Sequence, residues 1–280
     1  MGYDMMTEKA YAKINLYLDV LGKREDGYHN ILNVMTEVKS DSFYDTVTVS
    51  KAEGRSMTCT DPTLTVGEDN LCLKAAKAFF DALGSGDGCF IELDKHLPRE
   101  AGLGGGSSDA AAVLRALNGL YDGVFATEEL CKIGAKIGAD VPFCVVGGTM
   151  LAEGIGEILT PFPSLPKCHI VISGGVGKVS TPEAYRAIDS TPPSARGDIE
   201  ALRKALEGGD LSEIGKHLYN RFEDTLPACQ EVKKCFIENG AIGTLMSGSG
   251  SAVFGIFDTE NGAKNAQNGL LNAGYSAFLV

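Results

Sequence analysis

Residues 98–118 constrain this chain more than any other stretch. A glycine-rich run, Pro98-Arg-Glu-Ala-Gly-Leu-Gly-Gly-Gly-Ser-Ser-Asp109, passes without a break into Ala110-Ala-Ala-Val-Leu-Arg-Ala-Leu-Asn118. Gly102, Gly104, Gly105 and Gly106 lack Cβ atoms, so the backbone is free to take positive φ and to turn its N–H groups toward an anion. Ser107, Ser108 and Asp109 are good N-cap types, and Val113, Leu114 and Leu117 recur at helical spacing. That pattern predicts a helix whose N-terminus, with its partial positive charge, stands just behind the loop. A phosphate cradle is the reading this favours. The alternative is a flexible Gly/Ser connection, but a solvated linker has no reason to be followed at once by Ala-Ala-Ala-Val-Leu. Neither familiar nucleotide signature fits: no Lys-Ser or Lys-Thr follows the glycines, and Ser107 stands where the dinucleotide fingerprint has its third Gly.

A chain of 280 residues has room for two ordinary hydrophobic cores. The three prolines of Pro161-Phe-Pro-Ser-Leu-Pro166 are the best crossing point, which divides the chain into 1–160 and 161–280. No apolar run approaches a membrane span, and the opening residues have neither the basic nor the apolar region of a signal peptide, so a cytoplasmic location is expected. The eight cysteines are scattered, with no Cys-x-x-Cys and no metal-like spacing, and read as reduced, buried thiols. A net charge of −12 argues against nucleic acid or an anionic membrane as partner. A phosphorylated ligand would then depend on backbone dipoles and a few placed cations, for which Lys13, Lys95, Arg99 and Lys178 are the candidates.

Along the chain, residues 10–20 alternate, with Ala12, Ile14, Leu16, Leu18 and Val20 on one face and Tyr11, Lys13, Asn15, Tyr17 and Asp19 on the other. This predicts a half-buried strand with Lys13 and Asn15 side by side on its polar face, toward solvent or toward a ligand. Tyr28 and His29 follow a turn, either as a packed Tyr and a surface His or as a stacking platform for a flat base. Strands are predicted at 32–38, 46–51, 57–60 and 90–95, and a helix at 70–83. Thr127 is expected to cap a second helix after the glycine loop. Gly138 ends that helix, and Asp140 sits at the junction before Pro142, as a capping aspartate or a side chain facing a cleft. A strand is expected at 143–151. Beyond the crossing the order is strand, helices, strand, strand, helix, strand: the βαββαβ arrangement of a ferredoxin-like domain. Two further glycine motifs are weak. Ser173-Gly-Gly-Val-Gly-Lys178 fails the P-loop pattern at both ends, and Ser247-Gly-Ser-Gly-Ser251 is either a hairpin turn or a second backbone element pressed against the glycine loop.

Together these pieces resemble the GHMP kinase family, small-molecule kinases with their own Pro-x3-Gly-Leu-Gly-type phosphate loop, here residues 98–108. The resemblance runs through Ala12-Lys-Ile-Asn-Leu16, Asp26-Gly-Tyr-His29, Asn70-Leu71, the glycine loop with its helix, Gly138-Ala-Asp-Val-Pro142 and Ala152-Glu-Gly-Ile-Gly-Glu157. It continues in Lys178-Val-Ser-Thr-Pro182, Asn220-Arg-Phe-Glu223 and Met246-Ser-Gly-Ser-Gly-Ser251. The second and fifth of these set the chain apart from the mevalonate, homoserine and galactose branches.

The resemblance implies a two-domain α+β fold, with a ribosomal-protein-S5-like first domain and a ferredoxin-like second one. It implies ATP as phosphoryl donor and a small alcohol bearing a cytidine diphosphate as acceptor. Lys13 and Asp140 fall on the family's catalytic pair, and Asn15, Tyr28 and His29 on acceptor-binding positions, with Thr181 joining them from the second domain. The ATP side would comprise Asn70 and Lys95 beside the adenosine, and Pro98, Arg99, Glu100, Ala101, Gly102, Leu103, Gly104, Gly105, Gly106, Ser107, Ser108 and Asp109 along the phosphates. The polar pair Arg99-Glu100 departs from the small residues usual there, and Glu100 is expected to face solvent. Mg²⁺ is expected as counter-ion of ATP, with Ser107 or Ser108 as a conceivable ligand and no carboxylate cage. A monomer or homodimer is expected. Two other functions stay open: a kinase of this family for another small alcohol, or a non-catalytic nucleotide-binding regulator.

Overall fold

The computed structural model describes residues 4–174 and 180–280. Lys178, and with it most of the motif beginning at Ser173, lies outside the described residues. In chain order the elements are β1 (Met5–Lys23), β2 (His29–Val38), β3 (Tyr44–Ala52), β4 (Arg55–Cys59), α1 (Leu71–Leu83), β5 (Gly88–Asp94), α2 (Gly105–Leu120), α3 (Thr127–Ala135), α4 (Val141–Val146), β6 (Thr149–Glu153) and β7 (Ile158–Pro161). There follow β8 (His169–Ser173), α5 (Thr181–Ser190), α6 (Ile199–Gly208), α7 (Leu211–His217), β9 (Tyr219–Asn220), a 3₁₀ turn (Arg221–Thr225), α8 (Cys229–Glu238), β10 (Gly243–Met246), β11 (Val253–Phe257), α9 (Glu260–Asn272) and β12 (Ala277–Leu279).

The chain forms two compact units. The first holds Lys39–Leu97, Gly104–Gly147 and the described part of Met1–Ala12. Its strands run in the order β4-β5-β3-β1, with only the β4–β5 pair parallel. Helix α1 is capped by Asn70, whose side chain accepts from Cys72 N, and it buries Leu73, Phe79 and Phe80, each side chain stabilising the unit by about 1.5–3 kcal/mol. Helix α2 packs on α1, α4 and β3, and its buried Ala110, Ala111 and Ala112 let it lie close to them.

Three local expectations are corrected in this unit. Helix α2 begins at Gly105, and its N-cap is Gly104 in the left-handed conformation with φ 70°, so Ser107, Ser108 and Asp109 lie inside the first turns and not at the cap. Thr127 is likewise the first residue of α3 and not its cap; the N-cap is Ala126, whose N–H donates to Glu129 Oε2 at 2.9 Å. The strand expected at 143–151 divides into the short helix α4 and strand β6, because Pro142 fits the first turn of a helix and Gly147 then breaks it.

The second unit holds Lys13–Val38, Pro98–Leu103 and the described part of Gly148–Val280. In it β2 pairs antiparallel with β6, and β6 with β7, while β1 pairs parallel with β9 over Tyr17 and Leu18. A separate sheet runs β10-β11-β8-β12 with every pair antiparallel. Helices α8 and α9 pack on it through Val232, Phe236, Ala263 and Ala266 against Val171, Val253 and Phe257. The central position of β8 beside β12 and β11 is the strand order of a split βαββαβ domain, as the sequence predicts.

The β1 alternation is present, but the strand is not half-exposed. Lys13, Asn15, Tyr17 and Asp19 on the polar face are only 4%, 1%, 2% and 5% exposed. A polar row buried to that degree must find hydrogen-bond partners within the protein, which makes this stretch of β1 a place to look for chemistry.

Candidate active site

In the first unit a buried charge cluster ties the chain just after β5 to the first turns of α2. Asp45, fully buried, accepts from the backbone N–H groups of His96 and Leu97 at 2.5 and 2.7 Å with one oxygen, and from Lys95 Nζ with the other. Lys95 also donates to Asp109 Oδ2 at 2.8 Å, and a Cβ added to Gly105 would stand 3.0 Å from its ammonium. Lys95 is therefore pinned between two carboxylates under the first residue of α2. Burial works against its charge, but Asp109 and Asp45 outweigh it and hold its pKa above the ordinary lysine value. Burial, foremost, and the neighbouring Asp45 push Asp109 above the ordinary carboxylate range against the pull of Lys95, and its Oδ1 has no hydrogen-bond partner.

The first N–H groups of α2 have no intrahelical acceptor and form, with the helix dipole, an anion-binding end. Ser108 and Asp109 are buried there, Ser107 is half-buried and Gly106 is exposed. The turn carrying Asp140 lies beside this end, since a Cβ on Gly138 would come within 3.9 Å of Ser107 Oγ. Asp140 is the N-cap residue of α4, and its side chain makes no capping hydrogen bond there. Asn70 has both ends of its amide engaged, Oδ1 with Cys72 N at 2.9 Å and Nδ2 with Thr65 O at 2.7 Å.

In the second unit Asn15 is the hub. Its Oδ1 accepts from Lys13 Nζ at 2.8 Å, from Gly248 N at 2.8 Å and from Ser247 Oγ at 3.2 Å, while its Nδ2 donates to Asn33 Oδ1 at 2.7 Å. The first part of the glycine loop is gripped by the same segment. Gly102 O accepts from Ser247 Oγ at 2.9 Å, Ala101 O from Ala252 N at 3.0 Å, and Leu103 O from Lys13 N at 2.9 Å. Both readings of residues 247–251 hold: the segment closes the antiparallel β10–β11 hairpin and is pressed against the glycine loop. Gly102 has to be glycine: at φ 77° an added Cβ would lie 2.1 Å from the carbonyl oxygen of Ser247. Behind this segment Asn220 Nδ2 donates to Met246 O and Gly248 O at 2.7 and 2.8 Å, and Glu223 accepts from Met246 N. Arg99 and Glu100 are exposed and Pro98 half-buried, which agrees with Glu100 facing solvent.

The aromatic pair is the reverse of the packed-Tyr, surface-His alternative. Tyr28 is 61% exposed and His29 is 8% exposed. The His29 ring stacks on Tyr185 at 4.8 Å between centroids, and its Nε2 meets Asp189 Oδ1 at 2.7 Å. Asp189 also accepts from Lys23 at 2.7 Å, and that ammonium, then His29, hold its carboxyl below the usual range. A cavity of about 180 Å³ opens next to this pair, lined by Asp19, Lys23, His29, Asp189, Arg196 and Arg221 among others. Burial raises the pKa of Asp19 in its wall. Thr181 Oγ1 lies 3.2 Å from Ser249 Oγ, which attaches it to the 247–251 segment.

Several of these partners escape the sequence reading. Asp45 carries a legible signal, since it shares the inward face of β3 with Val47 and Val49, where a charge demands a partner. Asn33, a polar residue on a buried strand, gives a weaker signal of the same kind. Asp189 gives none, because its partner is 160 residues away. The eight cysteines are all free, four buried and four half-buried. No helix among the described residues is long and apolar enough to cross a membrane.

Comparison with known proteins bears on these arrangements. The GHMP kinases N terminal domain model matches residues 70–148, and the GHMP kinases C terminal model matches residues 199–277. A 4-diphosphocytidyl-2-C-methyl-D-erythritol kinase of Caldicellulosiruptor bescii is 43% identical over 267 residues, covering 93% of this chain and 92% of the relative. Another from Desulfitobacterium hafniense is 44% identical over 260 residues, covering 91% and 88%. The crystal structure of a 4-(cytidine 5'-diphospho)-2C-methyl-D-erythritol kinase superposes with a TM-score of 0.80 at 35% identity, covering 98% of each chain.

Proposed function

Because this chain belongs to the 4-diphosphocytidyl-2-C-methyl-D-erythritol kinases of the GHMP kinase family, we propose that it transfers the γ-phosphoryl group of ATP to the 2-hydroxyl of 4-diphosphocytidyl-2-C-methyl-D-erythritol, a step of the non-mevalonate route to isoprenoid precursors. The observation that carries this reading is the 43% identity maintained over 93% of the chain. The division at 160/161 assigns the first part to ATP binding, and each family model falls wholly within one part.

Phosphoryl transfer leaves little covalent chemistry to the protein, so catalysis is positioning and electrostatics. In this proposal the N–H groups at the start of α2 and the glycine loop bind the triphosphate, with Asn70 and Lys95 on the adenosine side. Asp140 takes or orients the proton of the acceptor hydroxyl, a role worth ~10²–10⁴ in rate. Lys13, held by Asn15, steadies the charge that develops on the transferring group. Asn15, Tyr28, His29 and Thr181 receive the acceptor. Mg²⁺ would come with ATP and offset its charge; no group of three or more His, Cys, Asp or Glu among the described residues is placed to cage a metal, and Ser107, the less buried of the two loop serines, is the hydroxyl available to it.

A kinase for another small alcohol is the second reading, but the relatives sharing 43–44% identity with this chain are named for the cytidyl substrate. A non-catalytic regulator would have no use for both Lys13 and Asp140. The test is a coupled ADP-release assay with the cytidyl substrate against mevalonate and homoserine. ADP is expected with the first only, and background rates with it would refute the proposal.

A further inference from the structure

Arg115 projects from the second half of α2, and each nitrogen of its guanidinium is engaged by another element. Nε donates to Glu8 Oε2 at 2.9 Å, Nη2 to Lys9 O at 2.9 Å and Nη1 to Cys144 O at 2.7 Å. One side chain, only 26% exposed, therefore ties α2 to β1 and to α4. Cys144 O is among the last four carbonyls of α4, which by position lack an intrahelical donor, and Arg115 supplies one. A cation there also suits the negative end of the helix. Cys144 N, at the same residue, donates to Asp140 O at 3.1 Å. The path from Arg115 to Asp140 thus runs through two hydrogen bonds and a single residue.

A helix of six residues has no stability of its own and keeps its orientation through contacts such as these. That orientation matters because the turn carrying Asp140 lies beside the start of α2, where a Cβ on Gly138 would come within 3.9 Å of Ser107 Oγ. Arg115 stands about two turns further along α2 than Ser107, so α4 meets α2 near Asp140 and is bonded to it near Cys144. We propose that Arg115 is a positioning residue for phosphoryl transfer: through Cys144 it fixes Asp140 against the anion-binding end of α2, and so sets the distance from the proton acceptor to the triphosphate. This rests on the proposed function above, in which Asp140 takes or orients the proton of the acceptor hydroxyl. Misplacing such a group by about 1 Å costs on the order of 10²-fold in rate. Methionine in place of Arg115 keeps a long unbranched side chain while removing every donor, so it releases α4 and leaves the packing of the stem in place.

A double-mutant cycle separates this role from that of a structural staple. Arg115→Met should lower kcat about 10–100-fold and leave the ATP KM within about threefold of wild type. In the Asp140→Asn background the same substitution should lower kcat by less than about threefold, because the group it misplaces is already gone. An equal loss in both backgrounds would overturn the inference, and so would a wild-type kcat in Arg115→Met. Should that variant fail to fold, Arg115→Lys carries the same cycle, since an ammonium cannot serve three partners arranged for a planar fork. Hydrogen exchange reads the clamp without turnover. The amides of Cys144 and Gly147, bonded to Asp140 O and Phe143 O, should exchange at least about tenfold faster in Arg115→Met, while those of α1 keep their wild-type rates. Unchanged exchange in α4, or an equal rise in α1, would leave Arg115 no positioning role. If the wild type does not turn over the cytidyl substrate, or Asp140→Asn alone leaves kcat untouched, the proposed function fails, and the exchange rates decide by themselves whether Arg115 holds α4.

Discussion

The hydroxyl of Ser247 donates to the carbonyl oxygen of Gly102 at 2.9 Å, joining two segments that are 145 residues apart in sequence. The backbone geometry there is one only glycine tolerates. Gly102→Ala would need a left-handed alanine and would drive its Cβ to 2.1 Å from the Ser247 carbonyl oxygen, so one of the two segments must move. Loss of stability on the order of 2 kcal/mol is expected, together with a fall in kcat/KM of at least about tenfold. Urea unfolding and ADP release check the two effects. A variant as stable and active as wild type would mean that the loop can retreat at no cost.

Asp140→Asn keeps size and polarity while removing the capacity to accept a proton. Since the Asp140 side chain makes no capping hydrogen bond in α4, the substitution should leave the start of that helix intact. Binding of ATP and acceptor, followed by calorimetry, should persist, while kcat falls by ~10²–10⁴. A fall of less than tenfold would reassign the residue from proton acceptor to orienting group.

Much of this fold was legible because period and punctuation agree with it. Helix α1 lies close to where apolar spacing put it, and β8, β10, β11, α9 and β12 follow in the order expected beyond the crossing. The errors have physical causes. At α2 a left-handed glycine supplied the cap that Ser107, Ser108 and Asp109 were chemically fit to supply. At β1 the alternation was right, but it could not tell that the polar face would be covered and turned into the Lys13–Asn15–Asn33 network. At His29 the sequence left two alternatives open, because the partner that makes an inward histidine tolerable, Asp189, arrives from α5, far along the chain. Candidate site residues were readable where a loop motif carries them. Their supports, Asp45, Ser247 and Asn220, became visible only as three-dimensional contacts.

Asn220 shows how such a support can be probed. Its Nδ2 serves Met246 O and Gly248 O, its Oδ1 accepts from Phe222 N at 2.9 Å, and the residue is 4% exposed. Asn220→Ala leaves these groups without their partner at about 1–3 kcal/mol for each that stays buried and unsatisfied. Because Gly248 N and Ser247 Oγ both donate to Asn15, the variant should also raise the acceptor KM several-fold and leave the ATP KM near its original value. Steady-state kinetics with each substrate varied in turn would show this, and equal rises in both KM values would point to general loosening instead.

The Asp45–Lys95–Asp109 cluster predicts a pH dependence of stability with a definite sign. Two buried carboxylates share one ammonium, and Asp109 has an oxygen with no partner, so its carboxyl is pushed up to about 8, chiefly by burial. In the unfolded chain the same group titrates near about 3.9. Between those values the folded protein holds a proton that the unfolded chain releases, so this group's contribution to stability falls as pH rises: it is whole below about pH 4 and gone above about pH 8. Groups elsewhere add their own slopes, and Asp109→Asn isolates this one, since an amide of the same shape does not titrate. Urea unfolding of both proteins from pH 5.5 to 8.5 should give a shallower decline in the variant, which gains on the wild type as pH rises. Parallel curves would mean that Asp109 is ionised throughout and that Lys95 balances both carboxylates.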